Sequence, residues 1–264
     1  MANPLPSILR RPYLFVREQC RHAQALWAYA RRPASEAPGT RFVLFGRGRS
    51  GTTALVSLLD AVPSIRCEGE ILRDCVPLPR RQVLGRSRRT AAPAYGCKIL
   101  SYQLRDVQRF LPSPEAFLRG LHREHGFRVL YLRRANLLRH ALSNIRARRD
   151  TFHRKKGDRT EAAALTVDPD HVVEWMESSA ALRAYEQKLL TGLPHLSLTY
   201  EHDIRDAAAH QATVDAVCDY LGVPSAPAES AYRKVAPRSL RESVANYDAL
   251  ARRLAGTRFE SYLE

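Results

Sequence analysis

RFVLFGRGRSGTTALVSLLD, residues 41–60, decides how the rest of the chain is read. RFVLF is a short, mostly apolar run of strand length. SGTTALVSLLDAV puts Ala54, Leu55, Leu58 and Leu59 on one stripe at helical spacing. Between them lies the turn Gly46-Arg47-Gly48-Arg49-Ser50-Gly51. Strand, glycine turn and helix in this order make a phosphate-gripping loop. Backbone N–H groups converge on an anion, and the helix presents the positive end of its dipole to it. A loop that binds nucleoside triphosphates reads GxxxxGK[ST]. Here Thr52 stands at the lysine position, and the cation comes from within the turn as Arg49, with Arg47 as a second.

Outward from the loop, apolar runs and helical stripes alternate. Strands are predicted around residues 64–72, in YGCKIL, in FRVLYL and in HLSLTY. Helices are predicted in EAFLRGLHREHG, stopped by Gly126, in ANLLRHALSNIRARRDTF, in DPDHVVEWMESSAALRAYEQKLL, capped by Asp168 or Asp170, and in DAAAHQATVDAVCDYLGV, ended by Gly222. PLPRRQVLGRSRRTAAP reads as loop or irregular helix, and RKKGDRTEAAAL as a charged loop. The tail returns to short helices. The predicted fold class is α/β, a P-loop-type central parallel sheet with helices on both faces. Residues 1–38 read as an N-terminal helical arm, and residues 39–264 as a single domain.

The chain has 264 residues, 45% of them hydrophobic, enough for one sizeable core. Its formal charge of +15 favours anionic partners, although an arginine- and alanine-rich composition accounts for the excess equally well. The five cysteines form no CxxC pair and read as free thiols of a reducing compartment. No apolar run approaches bilayer length and the N-terminus lacks a signal-peptide core, so a cytoplasmic protein is expected. The arm carries an amphipathic stretch that suits either packing on its own domain or peripheral contact with the inner membrane.

In such a sheet, ligands sit at the carboxyl ends of the strands. A triphosphatase also needs an aspartate at a strand end to help hold Mg²⁺. RVLYL ends instead in Arg133-Arg134. Both omissions point to a short phosphate group without metal-assisted γ-phosphoryl transfer, and no metal is expected. Nine histidines are scattered, without ligand spacing.

Strand–GxGRSGTT–helix resembles the 5′-phosphosulfate loop of sulfotransferases that use 3′-phosphoadenosine-5′-phosphosulfate (PAPS). LRRANLLRHALS offers Arg134 and Ser143 in the setting of that family's 3′-phosphate clamp, with Arg133 as the alternative to Arg134 in strand-end register. CEGEIL, YGCKIL, LTYEHDI and APRSLRESVANYDAL follow the order found in bacterial carbohydrate sulfotransferases, nearest the branch of the rhizobial nodulation-factor enzymes. The resemblance covers about residues 40–262. It departs from many animal sulfotransferases, which carry lysine in place of Arg49 and use a histidine base without a clear counterpart here.

The resemblance implies sulfuryl transfer from PAPS to a hydroxyl of a carbohydrate or glycolipid, leaving PAP, the 3′,5′-bisphosphate. It implies a glutamate base shortly after the first helix, Glu70 in preference to Glu68, and Arg49 as the transition-state cation. Arg47, Gly48, Arg49, Ser50, Gly51, Thr52 and Thr53 would hold the 5′-phosphate. Lys98 is either a second cation near the sulfuryl group or a strand-end lysine reaching for solvent. Lys234 and Arg238 either close over the 3′-phosphate or make exposed ion pairs. Residues 73–92 and 149–168 are the segments expected to shape the acceptor pocket. Two other classes compete. A P-loop-like kinase would need the missing lysine and aspartate. A non-enzymatic basic nucleotide- or nucleic-acid-binding protein is suggested by RARRDTFHRKKGDR, which lacks interleaved aromatics; no nucleic-acid partner is expected.

Overall fold

The computed structural model describes residues 7–153, 163–229 and 239–263. Lys234 and Arg238 lie outside these residues, as does most of the charged loop at 154–162. The fold is α/β. Five strands, β1 (Thr40–Gly46), β2 (Ile65–Glu70), β3 (Ala94–Leu100), β4 (Phe127–Arg133) and β5 (His195–Thr199), form one sheet in the order β2-β3-β1-β4-β5. All four pairings are parallel. Their carboxyl ends therefore share one edge, and β1, which feeds the glycine loop, is central.

The helices are α1 (Ser7–Arg31), α2 (Thr52–Asp60), α3 (Pro79–Ser87), α4 (Pro114–Arg123), α5 (Leu137–His153), α6 (Pro169–Leu190), α7 (His210–Leu221), α8 (Leu240–Ser243) and α9 (Tyr247–Leu254). Side chains alternate across a strand, so a central strand must be apolar on both sides. Val43 and Phe45 of β1 pack with Cys97, Val129 and the apolar stripes of α3 and α4. Phe42 and Leu44 pack on the other face with Leu130 and the stripes of α2 and α7. A third cluster joins α5, α6 and the C-terminal helices through Leu138, Met176, Leu250 and Phe259.

Residues 79–87 form a regular α-helix rather than a loop or irregular helix. Pro79 occupies its first turn, where a missing N–H costs nothing. Val83 and Leu84 are buried against the sheet. α1 lies along α3's other side: His22 Nδ1 is 2.8 Å from Gln82 Oε1, and Arg88 donates to the Tyr29 carbonyl at 2.6 Å. The helices touch at Gly85, where a Cβ would come 1.8 Å from the Ala25 carbonyl oxygen. Tertiary packing thus imposes regular helix on a segment whose arginines and prolines read as loop or irregular helix. Asp168 is the cap of α6, accepting from the Asp170 N–H at 3.0 Å. Among the described residues, no helix is long and apolar enough to cross a membrane.

Candidate functional site

The loop between β1 and α2 runs Arg47–Gly51 over the carboxyl edge of the sheet. Two of its residues adopt left-handed backbone: Gly51 with φ 86° and Arg49 with φ 63°. Gly51 has no substitute there, since a Cβ would stand 2.6 Å from the Tyr200 ring. Arg49 bears a Cβ in a conformation that costs it energy, a form of strain that concentrates at functional loops. The turn leaves its guanidinium exposed. Ser50 and Thr52 are buried, and the Ser50 hydroxyl has no hydrogen-bond partner. An orphaned hydroxyl beside a helix N-terminus suits an anion that it could donate to.

Thr53 is exposed at the start of α2, and its hydroxyl oxygen accepts from Lys98 Nζ at 3.1 Å. Lys98 comes from β3, the strand beside β1. Its side chain is only 6% exposed and its ammonium pairs with Glu70 Oε1 at 3.1 Å. Gln103, fully buried after β3, donates to Glu70 Oε2 at 2.9 Å, and Arg73 stands 3.9 Å from the same oxygen. Glu70 is therefore joined to the phosphate loop by one ammonium. Lys98 is a buried cation at the site, not a lysine extended into solvent.

The two glutamates of CEGEIL part company. Simple alternation would put Glu68 and Glu70 on one face. Pairing with β3 instead slips between them: Glu68 faces Cys97, and Glu70 faces Lys98. One extra residue, Gly69, is accommodated as a bulge, which re-aims the next side chain. Glu68 accepts from Arg86 at 2.8 Å and from the Tyr95 hydroxyl at 3.0 Å on the α3 side. Glu70 turns to the phosphate-loop side.

Arg134 follows the last residue of β4. Its guanidinium lies 4.5 Å over the Tyr200 ring and donates to the Arg49 carbonyl at 3.3 Å. Arg133 points to solvent. Burial pulls the Arg134 guanidinium below its ordinary pKa; Tyr200 and Glu201 oppose this. Glu201 is 3.9 Å away and mainly serves the start of α5, accepting from the Ala135 and Asn136 N–H groups at 2.8 and 3.1 Å. Arg134 Nε has no hydrogen bond, so an added anion would offset a real desolvation cost. Ser143 is half-buried on α5. One turn before it, His140 Nε2 donates to the Gly48 carbonyl at 2.7 Å. Burial first, then the Arg47 charge, hold the His140 imidazole down at about 3.

Arg47 does not face the anion site. Its side chain passes under the loop to α6, where it donates to the Ser179 carbonyl at 2.9 Å and to the Ser179 hydroxyl, and pairs with Glu186 at 3.3 Å. Glu186, fully buried, also accepts from Ser101 and Tyr131, each at 2.7 Å. One carboxylate thus ties β1, β3 and β4 to α6. Only the backbone of Arg47 remains available to a phosphate. Gln103 and Glu186 carried no motif in the sequence, and His140 sat within LRRANLLRHALS without a role of its own; only the fold brings these three to the loop.

The structure gathers Arg49, Ser50, Thr52, Thr53, Glu70, Lys98 and Arg134 at one edge of the sheet, with Ser143 on the adjoining helix. Comparison of the chain with protein-family models finds no match, and comparison with curated proteins finds none.

Proposed function

We propose that the protein is a sulfotransferase that moves the sulfuryl group of PAPS to a hydroxyl of a carbohydrate or glycolipid. The observation that carries this reading is the link Glu70–Lys98–Thr53. It sets a carboxylate, fit to accept a proton, one cation away from a loop fit to hold a phosphate.

The loop N–H groups and the hydroxyls of Ser50, Thr52 and Thr53 would hold the 5′-phosphate, and Arg134 with Ser143 the 3′-phosphate. Guanidinium suits phosphate because its planar fork donates two bonds at once. The acceptor hydroxyl oxygen attacks sulfur, a new O–S bond forms, and the bond from sulfur to the 5′-phosphate oxygen breaks. The hydroxyl proton passes to Glu70. Charge grows on the departing phosphate, and Lys98 and Arg49 would be the fixed cations that stabilise it. Arginine stays protonated, so Arg49 stabilises charge and does not donate a proton. Sulfuryl transfer of this kind needs no metal to gather a polyphosphate, in keeping with a loop that lacks the triphosphatase lysine.

Labelled-sulfate PAPS incubated with the protein and pooled glycan and glycolipid acceptors tests the reading, alongside calorimetry with PAP and with Mg²⁺-ATP. Lys98 gives a kinase the cation that its loop lacks. ATP binding with phosphoryl transfer, and silence toward PAP, would therefore replace the proposal by the kinase reading.

A further inference from the structure

A cavity of about 670 Å³ opens beside the end of β2, between α1, α3 and the segment after α3. Its volume is that of a small-molecule site. Glu70 lies at one wall and Glu68 at another. Six arginines line it (17, 21, 66, 73, 86 and 89) against three glutamates, Glu18, Glu68 and Glu70. Two of the glutamates each serve two cations. Glu18 is 2.8 Å from Arg21 and 3.7 Å from Arg17; Glu70 is 3.1 Å from Lys98 and 3.9 Å from Arg73. Glu68 is taken by Arg86. The Arg89 side chain has no carboxylate partner among the described residues. Arg86 is more than nine-tenths buried, fixed by Glu68 on one nitrogen, and its Nε has no hydrogen bond. Arg66 is paired with Asp60 at 3.0 Å, and the remaining lining is still short of negative charge.

The cavity lies toward the β2 edge of the sheet, away from Arg134. Arg134 follows β4, while the cavity adjoins β2, three strand spacings away. At roughly 4.8 Å per strand that is about 14 Å. The phosphates already have Arg49 and Arg134 on their side. Nor do the described lining residues offer a stacking platform for a neutral sugar: the one aromatic among them, Tyr95, is buried and spends its hydroxyl on Glu68.

We infer that the acceptor is an anionic carbohydrate, its carboxylate or ester anion held by Arg89, Arg86 and Arg21 while one of its hydroxyls faces Glu70. This rests on the transferase reading for the role of Glu70, but the anion site stands on the lining itself. α1 then contributes to acceptor selection.

The test is calorimetry of the full chain saturated with PAP, using three probes: a uronate disaccharide, the same disaccharide with its carboxylate reduced to an alcohol, and a hexose 6-phosphate. At low salt an anionic probe should bind about tenfold more tightly than the neutral one, as one charge-assisted contact provides. The advantage should shrink in about 1 M salt. Which anion binds better tells carboxylate from phosphate ester. Arg89→Ala and, separately, Arg21→Ala should each weaken the anionic probes about fivefold or more and leave PAP affinity and the neutral probe unchanged. Equal binding of neutral and anionic probes, or indifference to both substitutions, overturns the inference. Failure of PAP to bind overturns the transferase reading alone. The same probes titrated into the unliganded protein then decide the anion site.

Discussion

The Glu70 carboxylate lies 3.1 Å from the Lys98 ammonium, which reaches on to Thr53 in the phosphate loop. The proposed proton acceptor and the proposed charge stabiliser are therefore coupled across two neighbouring strands. Glu70→Gln keeps the shape and the Gln103 contact but removes the proposed base. It should lower kcat by about 10²- to 10⁴-fold, the usual contribution of general base catalysis. Affinity for PAP should be unchanged by calorimetry. If transfer survives, another group takes the proton.

On the proposed reading, Arg134 holds the 3′-phosphate of PAPS. Arg134→Ala should weaken PAP by about ten- to a hundredfold, the value of hydrogen bonds to a charged group. Binding of AMP, which lacks that phosphate, should change far less. Equal losses for both nucleotides would assign Arg134 to the loop instead, through its bond to the Arg49 carbonyl.

His140 makes folding sensitive to acid. Its pKa falls from 6.5 to about 3 in the folded chain because of burial and the Arg47 charge. The folded protein therefore stays unprotonated there while the unfolded chain gains a proton. Its contribution to stability is complete above pH 6.5 and declines as pH falls toward about 3. The slope is about 1.4 kcal/mol per pH unit. His140→Asn removes the titration. Urea denaturation between pH 6.5 and 4 should show a shallower loss for this variant than for the parent.

Glu186 is buried with Arg47, Ser101 and Tyr131 as partners. Arg47→Ala leaves that carboxylate uncompensated and should cost about 3–5 kcal/mol. Adding Glu186→Gln should restore part of the loss, because the stranded charge goes with it. Additive losses in urea melts would mean that the two side chains act separately.

The central part of the fold was legible because its signals are local. RFVLF is apolar on both sides, as a middle strand must be, and glycines at 46, 48 and 51 announce the turn. A cap at Asp168 or Asp170 and the stop at Gly222 were legible for the same reason, and Asp168 is the cap. α3 was not, since its helix depends on packing against α1 across Gly85 and Ala25. At the site, Arg49 and Glu70 stood in readable motifs. Arg47 did not announce its direction: a loop arginine can turn either way, and the partner that decides, Glu186, lies far along the chain. The resemblance favours Glu70 over Glu68, but the residues alone do not show that the two side chains face different neighbours. A bulge is a property of strand pairing, invisible in either strand alone.

The extra residue at Gly69 gives one edge strand two independent clients. Glu68 answers to Arg86, Tyr95 and the helices that wall the cavity; Glu70 answers to Lys98 and the phosphate loop. Substitutions that reshape the wall can propagate through Glu68 without displacing Glu70 two positions on. On the proposed reading, a change in what the protein accepts need not disturb how it reacts, and variants with new acceptor preferences should be sought in α1 and α3 before the strand itself.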